Sequence, residues 1–480
     1  MKNLLRVNQL LGNTYFEAND YVIEKQLSRA RQGSEVPFEK AVDAFQDYLD
    51  TLDAKNEADY LDRKYAAIVG DTSAKQYFMQ RLHDFLRENP QYQNTSFPVY
   101  YPNLAEAIFQ HHLGFGPMSL WFAHPTESAI VNGTQISFGI HGQNTKVLQP
   151  FAFDSIDQVK KLIRTLTLQD AKNQVNQVNN WTQVDMLDGT RVTIFAPPLS
   201  ETYVLIFRQF VFSQFTFEHL AQVQTVSTDS VMWWKQMSRL MLSIMTTGIR
   251  KSGKTTLLKV IYGARDPNYD VVSVERGTFE AHLRRDFPER ANHIIALKST
   301  IEDMNSLFLA FLRTDAHYII IPEIRSMEVD LAIHSRERGN GWIGSYHGQY
   351  VQNIPLELAN LSLEMQPNRN YHSAYIRAAQ SIDVVITMWE DPQGRKIVTG
   401  VFAYEYNHEQ ETFYVVPWMR YNRVTDDWTY SHQIPPQMKQ RLQDTVPTTL
   451  QEFMQEFEQL EKLHPMGKEQ SRTQTIKIGG

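Results

Sequence analysis

The chain has 480 residues, of which 42% are hydrophobic and 21% are charged, as expected for a globular protein of two or three domains. Its net charge of −7 argues against a chain that binds nucleic acid as a whole, and its lack of cysteine excludes disulfides, thiol catalysis and cysteine-ligated metal sites. Because no apolar run approaches the roughly 18 residues of a membrane-spanning helix, we expect a soluble, unexported protein, which could still dock on a membrane through a partner.

Residues 1–104 are predicted to form a polar, helical N-terminal extension. The stretches AFQDYLDTL and KQYFMQRLHDFLREN, at 44–52 and 75–89, place their apolar residues at helical spacing. Asn89-Pro90 then breaks the pattern, so a helix is expected to end there.

Residues 105–215 change to short alternating strands, which indicates a separate α+β domain. Asn132-Gly133 and Asp188-Gly189 are hairpin-type turn signals between these strands. Residues 216–235 are polar with little apolar periodicity, and we interpret them as a helical connector to the next domain.

Residues 236–430 alternate short apolar runs with polar or amphipathic segments. The apolar runs are LMLSIMTTG, YDVVSVE, HIIALK, AHYIIIPEI and DVVITMWED. This alternation predicts a largely parallel sheet flanked by helices.

Residues 431–480 are predicted to form a helix and a flexible tail. Thr449 and Glu452 have capping-box spacing, and the apolar residues of this segment share one helical face: Leu450, Phe453, Phe457 and Leu460. The final stretch, GKEQSRTQTIKIGG, has the composition of a disordered tail. The helix and the N-terminal extension are candidate partner surfaces, and packing against their own domains is the open alternative.

The stretch GIRKSGKTT, residues 248–256, has the spacing of a phosphate-binding loop between an apolar strand and a helix. Glycines let the backbone point several N–H groups at one anion, and the N-terminal end of the helix adds positive charge. Lys254 would reach the β- and γ-phosphates and the hydroxyl of Thr255 would ligate Mg²⁺, while a left-handed backbone at Lys251 would cost about 1–2 kcal/mol. A chance match to the motif is the alternative. We assign nucleotide binding to Gly248, Ser252, Gly253, Lys254, Thr255 and Thr256.

Three further side chains follow predicted strands, at the ends that face the ligand crevice in this class of sheet. Glu323 can polarise water or hold the magnesium shell, directly or through water, and a solvated glutamate before a helix is the alternative. Glu275 could instead be a favourable acid at a helix N-terminus. His347 could hydrogen-bond a γ-phosphate, or it could be a packed or surface histidine.

The segments GIRKSGKTT, VVSVERGTFE, IIIPEIRSMEVD and GWIGSYHG follow one another along the chain. Their order resembles the secretion-system ATPase superfamily, the hexameric motors of type II secretion, type IV pili and type IV secretion, and most of all its tight-adherence-pilus branch. Upstream, DGTRVTIFAPPL and YVLIFRQF look like parts of that family's N-domain. The resemblance implies an α/β fold with a RecA-like P-loop NTPase domain, preceded by a smaller α+β N-domain and a helical N-terminal extension.

The resemblance also implies roles for individual residues beside the phosphate and magnesium ligands named above. Glu323 matches the Walker B glutamate, Glu275 the acid that orients the attacking water, and His347 the histidine-box residue. Arg191 and Arg208 match N-domain arginines that approach the phosphates as the two domains close, since a guanidinium suits a phosphate oxygen well. Without the resemblance, both arginines would be taken for half-exposed strand residues.

The activity that the resemblance implies is ATP hydrolysis, with ATP and Mg²⁺ bound between the two domains. The motor would be a homo-hexamer docked on a polytopic membrane protein at the cytoplasmic face, where it drives the assembly of pilin-like subunits or the passage of a cargo. Sequence-specific nucleic-acid binding is not expected. Two alternatives stay open: a conjugative or DNA-uptake motor, and a nucleotide-gated scaffold with little hydrolysis, because the glycine-rich surroundings of the motifs differ from the family pattern.

Overall fold

The computed structural model describes residues 36–53, 63–64, 66–67, 71–98, 100–123, 125–140, 145–167, 175, 179–186, 189–209, 214–277, 279–300 and 313–478. The chain divides into two compact units, Met1–Val211 and Phe212–Gly480, which we call the first and the second unit. The first 35 residues of the predicted helical extension lie outside the described residues.

The helices of the first unit agree with the helical spacing of the sequence. They are α1 (Phe38–Asp53), α2 (Thr72–Glu88), α3 (Leu104–His112) and α4 (Ser119–Ala123). The side chain of Asp71 caps α2 by accepting a hydrogen bond from the amide of Ala74 at 2.7 Å. The first three helices bury one apolar cluster, which includes Phe45, Phe78 and Ile108.

An antiparallel sheet of six strands forms the rest of the first unit. Its elements are β1 (Ser128–Asn132), β2 (Gln135–Gly139), β3 (Lys146–Ala152), α5 (Ile156–Leu166), β4 (Trp181–Asp185), β5 (Arg191–Phe195) and β6 (Val204–Arg208). The strand order is β3-β2-β1-β6-β5-β4. Gly133 has a φ of 61° in the turn between β1 and β2, as the hairpin signal predicts, whereas Asp188 of the second signal lies outside the described residues.

The second unit is built on parallel strands alternating with helices. Its elements up to residue 390 are α6 (Phe217–Gln222), α7 (Val231–Arg239), β7 (Ile244–Gly248), α8 (Lys254–Ala264), β8 (Val271–Arg276), α9 (Leu283–Asp286), β9 (Ile294–Ser299), β10 (Tyr318–Ile321), α10 (Glu328–Glu337), β11 (Gly341–Tyr346), α11 (Ile354–Met365), α12 (Tyr371–Ser381) and β12 (Val384–Glu390). All five predicted apolar runs are strands, which confirms the predicted α/β class.

The order of the parallel strands is β12-β7-β11-β10-β8-β9. Strand β11 therefore lies between the strand that leads into the phosphate loop, β7, and the strand that precedes Glu323, β10. Parallel strands end at a common edge, so the segments that follow β7, β10 and β11 meet there. Two apolar clusters, one on each face of the sheet, hold it between the helices.

An antiparallel extension completes the sheet beyond β12. It consists of β13 (Lys396–Asn407), β14 (Thr412–Asn422), β15 (Asp427–Tyr430), α13 (Pro436–Thr445), α14 (Pro447–Leu463) and β16 (Gln474–Lys477). β13 follows β12, then β14 and β15, and β16 pairs with the far half of β14.

Asp383, just before β12, links several elements of the second unit through its carboxylate. Its carboxylate accepts hydrogen bonds from the amide of Ser243 at 2.9 Å, from Arg336 at 3.1 Å and from Arg441 at 2.7 Å. The two guanidiniums satisfy a carboxylate that the fold buries, and they join α10 and α13 to the start of β7.

The stretch predicted as a connector, 216–235, is instead part of the second unit's core. Trp233 and Trp234 are fully buried, Trp234 stacks on Phe217 at 5.6 Å between ring centroids, and Trp233 stacks on Phe453 at 5.9 Å. Two adjacent tryptophans leave no helical periodicity to detect, because consecutive residues point to different sides of a helix and each meets its own apolar neighbours.

The C-terminal predictions hold only in part. The apolar face of α14 is buried as predicted, and the helix packs against its own unit. The capping box is wrong, because α14 begins at Pro447, a residue preset for a first helical turn, and Thr449 already lies inside the helix. The predicted flexible tail is also wrong: β16 pairs with β14, and Ile478 is buried in an apolar cluster.

Among the described helices, none combines the length and the apolar character of a membrane span.

Candidate functional site

The phosphate loop joins β7 to α8 and depends on two glycines. Gly248 has a φ of 149°, and a side-chain Cβ there would lie 2.3 Å from the carbonyl oxygen of Met388. Gly253 has a φ of 92° at the N-cap of α8. Lys251 has a φ of 65°, so the loop does place a residue with a side chain in the left-handed region, as anticipated.

The start of α8 offers its backbone amides to an anion. Within the described residues no side chain caps this helix, and Gly253 has none to offer, so the first-turn N–H groups keep their hydrogen-bonding capacity. Ser252 is fully buried and donates its hydroxyl to the carbonyl of Ile249 at 2.9 Å, which fixes the shape of the loop. Thr255 and Thr256 are half-buried on the first turn.

Lys254 points back into the loop that carries it. Its ammonium donates to the carbonyl oxygens of Gly248 at 2.9 Å and Ile249 at 2.8 Å, and its Nζ lies 3.3 Å from Nδ1 of His347. The His347 nitrogen can accept from an ammonium only when it carries no proton. The ammonium that we expect to bind phosphate oxygens is thus hydrogen-bonded to carbonyl groups of its own loop.

The electrostatic surroundings of Lys254 weaken its hold on its proton. Burial lowers the pKa of Lys254 to about 8, and the nearby Arg250 acts in the same direction. Glu323 opposes both effects by attracting the positive charge. Burial of an unpaired ammonium is unfavourable, so a negatively charged ligand at this position would gain Lys254 as a favourable partner.

Glu323 follows β10 at the crevice edge and is ion-paired with Arg325. Its other oxygen, Oε1, lies 3.4 Å from Nε2 of His347. Burial by itself would raise the pKa of Glu323, but Arg325 and then His347 bring it below its ordinary value, so the group is a carboxylate at neutral pH. Arg325 completes the pair and reaches Glu280 at 3.8 Å as well.

His347 connects the loop to this carboxylate. It follows β11, the strand between β7 and β10, with one ring nitrogen facing Lys254 and the other facing Glu323. Burial and then Lys254 lower the pKa of His347 below its ordinary value, which keeps the ring neutral near pH 7. The structure therefore brings Lys254, His347 and Glu323 together.

Glu275 lies on β8, the strand next to β10, and has its own hydrogen-bond partners. It is buried, one residue before the end of that strand, and its Oε2 accepts hydrogen bonds from the amides of Glu280 and, at 2.9 Å, Ala281. Burial is the main cause that raises the pKa of Glu275 to about 7, against the two amide contacts. One oxygen of the predicted water-orienting acid thus holds the 280–281 segment, and its role towards water stays a prediction.

Arg191 and Arg208 lie in the first unit, on neighbouring strands. They are directly opposite each other in the β5–β6 register. Nε of Arg191 lies 3.2 Å from Oδ1 of Asp185, and Arg208 is exposed. Their contact with phosphates stays a prediction.

Sequence reasoning missed three features of the site, and only the second of them had a local signal. The Lys254–His347 contact joins residues 93 positions apart, so only the strand order reveals it. Arg325 stands two residues after Glu323, and this spacing could have indicated an ion pair. The Cβ of Lys396 lies 3.4 Å from the position that a Cβ on Gly253 would take. No local sequence pattern connects Lys396, on β13, to the loop.

Residues 101–401 match the family described as type II/IV secretion system protein. A protein of Methanocaldococcus jannaschii described as uncharacterised is 24% identical over 246 residues, which cover 47% of this chain and 44% of that protein. The chain thus spans less than half the length of this relative.

Three solved structures are similar at low identity. The VirB11 ATPase from the Brucella suis type IV secretion system is 17% identical, with 60% of this chain and 95% of that chain covered and a TM-score of 0.31. The pilus retraction motor PilT with bound ADP is 13% identical, with 74% and 94% covered and a TM-score of 0.43. The Legionella pneumophila ATPase DotB is 13% identical, with 72% and 88% covered and a TM-score of 0.41.

Proposed function

The chain belongs to the type II/IV secretion system protein family, a family of ATPases, and from this premise we propose that it is an ATP-hydrolysing motor of a secretion or type IV pilus system. The observation that carries the proposal is the convergence of Lys254, His347 and Glu323 on the carboxyl edge of one parallel sheet. A buried ammonium, uncapped helix amides and an ionised carboxylate in one crevice suit phosphoryl transfer from ATP to water.

Each of these groups would have a defined task. Lys254 would exchange its two carbonyl partners for β- and γ-phosphate oxygens, while the amides of α8 hydrogen-bond the same phosphates. Glu323, ionised at neutral pH, would accept a hydrogen bond from the attacking water and orient it. Thr255 and Glu323 are the candidates for holding Mg²⁺, which neutralises phosphate charge when bound.

The remaining roles belong to the same proposal. Arg191 and Arg208 would neutralise phosphate charge, His347 would report a γ-phosphate, and Glu275 would help to orient water once its side chain is released from the 280–281 segment. The assembly would be a homo-hexamer docked on a polytopic membrane protein at the cytoplasmic face of the membrane, acting on pilin-like subunits. A conjugative or DNA-uptake cargo is the alternative use of the same chemistry.

A scaffold that binds ATP and barely hydrolyses it is a second candidate. The observation that favours it is the ion pair between Glu323 and Arg325, because a carboxylate held by a guanidinium must give up that partner before it can bind water.

The test is a phosphate-release assay with ATP and Mg²⁺, paired with calorimetric ATP binding. We expect slow, magnesium-dependent release by the wild type. Lys254→Ala should lose binding and release, and Glu323→Gln should lose release while it still binds ATP. Glu289→Gln is the matched control, because it makes the same change at an exposed glutamate that is not one of the site residues. Equal release by the wild type and both site variants would contradict the motor, and binding without release in the wild type would favour the scaffold.

A further inference from the structure

The phosphate loop has two neighbouring strands of different character. On one side β11, with β10 beyond it, brings His347 and Glu323 to the crevice. On the other side lies β12, which ends with Trp389 and Glu390. If hydrolysis occurs at Glu323, the γ-phosphate lies on the β11 side of the loop. A phosphate chain that runs along the loop from that point would bring the nucleoside to the β12 side.

The end of β12 is in direct contact with the loop. Met388 pairs with Gly248 in the β7–β12 register, and its carbonyl closes over that glycine so tightly that a Cβ would approach it to 2.3 Å. The methyl group of Met388 would lie 3.2 Å from a Cβ at Gly253. Trp389 is the next residue of β12, so its backbone lies at the same edge of the sheet as the loop.

The ring of Trp389 makes a cation–π contact with an arginine. The guanidinium carbon of Arg423 lies 4.2 Å from the Trp389 ring centroid. Trp389 is half-buried against the core, while Arg423 is exposed in the turn between β14 and β15. A half-buried indole under an exposed guanidinium presents a flat, positively charged face to solvent.

Both turns that form this face are tied to each other. In the β12–β13 turn, the carboxylate of Asp391 accepts from the amides of Gln393 and Arg395 at 2.9 and 2.8 Å. The side chain of Arg395 then crosses to Asp426 in the β14–β15 turn, 2.8 Å away. Such bracing lowers the entropy that a ligand would lose by ordering the two turns.

We propose that Trp389 and Arg423 form the stacking platform for the purine base of the bound nucleoside triphosphate, an inference that rests on the proposed function. Aromatic rings and guanidinium planes both stack on bases, and each base–aromatic stack contributes enough to change affinity by roughly tenfold. The platform makes the base, and not only the phosphate chain, part of what the second unit recognises.

An arginine over an aromatic ring occurs a second time in this sheet. Arg420 on β14 lies 4.9 Å from the ring centroid of Phe402 on β13 and donates to the carbonyl of Gln470. Arg420 is therefore the matched control for Arg423: it has the same charge and lies only three residues earlier in the chain, but its guanidinium covers the ring of Phe402 and not that of Trp389.

The experiment compares calorimetric dissociation constants of MgATP and of magnesium tripolyphosphate, which has the phosphates without a base. Arg423→Ala should weaken MgATP by roughly tenfold and leave tripolyphosphate within about twofold. Arg423→Lys should behave like Arg423→Ala, because it keeps the charge and loses the planar face. Arg420→Ala should change neither ligand, and Lys254→Ala should weaken both.

Each other outcome has a defined meaning. If the wild type binds tripolyphosphate as tightly as MgATP, or if Arg423→Ala weakens both ligands equally, the platform is refuted while phosphate binding stands. If the wild type binds neither ligand, the proposed function fails and the platform fails with it. Trp389→Leu should repeat the loss for MgATP alone, and since Arg423 is exposed, its variants decide the question even if Trp389→Leu does not fold.

Discussion

The low pKa of Lys254 predicts that ATP binding takes up a proton. In the free protein burial lowers this pKa to about 8, so at pH about 8 roughly half of the molecules carry a neutral amine. Phosphate oxygens around Nζ favour the charged form and raise its pKa well above the pH of the experiment. Binding at this pH should therefore be accompanied by the uptake of roughly half a proton.

The same shift fixes the sign of the pH dependence. The bound state holds more protons than the free state, so affinity falls as the pH rises through the free-state pKa of about 8. With a bound-state pKa above the range tested, the dissociation constant should rise roughly tenfold between pH about 7 and pH about 9. Glu275, with a pKa of about 7, and His347, whose pKa lies below its ordinary value, contribute little at the upper end of this range.

Calorimetry in two buffers of different protonation enthalpy measures the uptake directly. At pH about 8 the difference in apparent binding enthalpy, divided by the difference in buffer enthalpy, gives the number of protons. Lys254→Arg is the comparison, because a guanidinium stays charged throughout and should show no uptake of this origin. A wild-type uptake of zero, or an equal uptake in the arginine variant, would refute the assignment to Lys254.

Three predictions concern stability and are measured by urea unfolding. Lys251→Gly should stabilise the protein by about 1 kcal/mol, because the φ of 65° at this position strains any residue with a Cβ. Asp383→Ala should destabilise it by about 3–5 kcal/mol, because Arg336 and Arg441 lose a buried counter-charge. Phe457→Ala should cost about 3–5 kcal/mol, because the ring is fully buried in the second unit's core.

Each stability prediction has its own check. Lys251→Ala keeps a Cβ in the left-handed region and should give no comparable gain. Asp444→Ala and Gln459→Ala, at exposed positions of α13 and α14, should change stability by less than about 0.5 kcal/mol. A neutral Phe457→Ala would mean that α14 is not part of the folded core, and a neutral Asp383→Ala would mean that the two arginines find other partners.

The family resemblance read from the ordered motifs is confirmed, while the tight-adherence-pilus branch stays a prediction. The local sequence was sufficient to identify the motifs, because each one is the end of a strand followed by residues typical of its turn. Gly248 and Gly253 stand where a positive φ is required, and the carboxylate of Glu323 follows a continuous apolar strand. Such features depend on neighbours a few residues away, so spacing alone reveals them.

Tertiary structure alone decided which of these ends meet. The insertion of β11 between β7 and β10 puts His347 between Lys254 and Glu323, and the pairing of β12 with β7 puts the end of β12 beside the loop. Strand order is set by the burial of both sheet faces and by hydrogen bonds between segments far apart in sequence, and neither leaves a local trace. The pKa of Lys254 follows from the same burial, because desolvation depends on everything packed around a charge and not on the residues beside it in the chain.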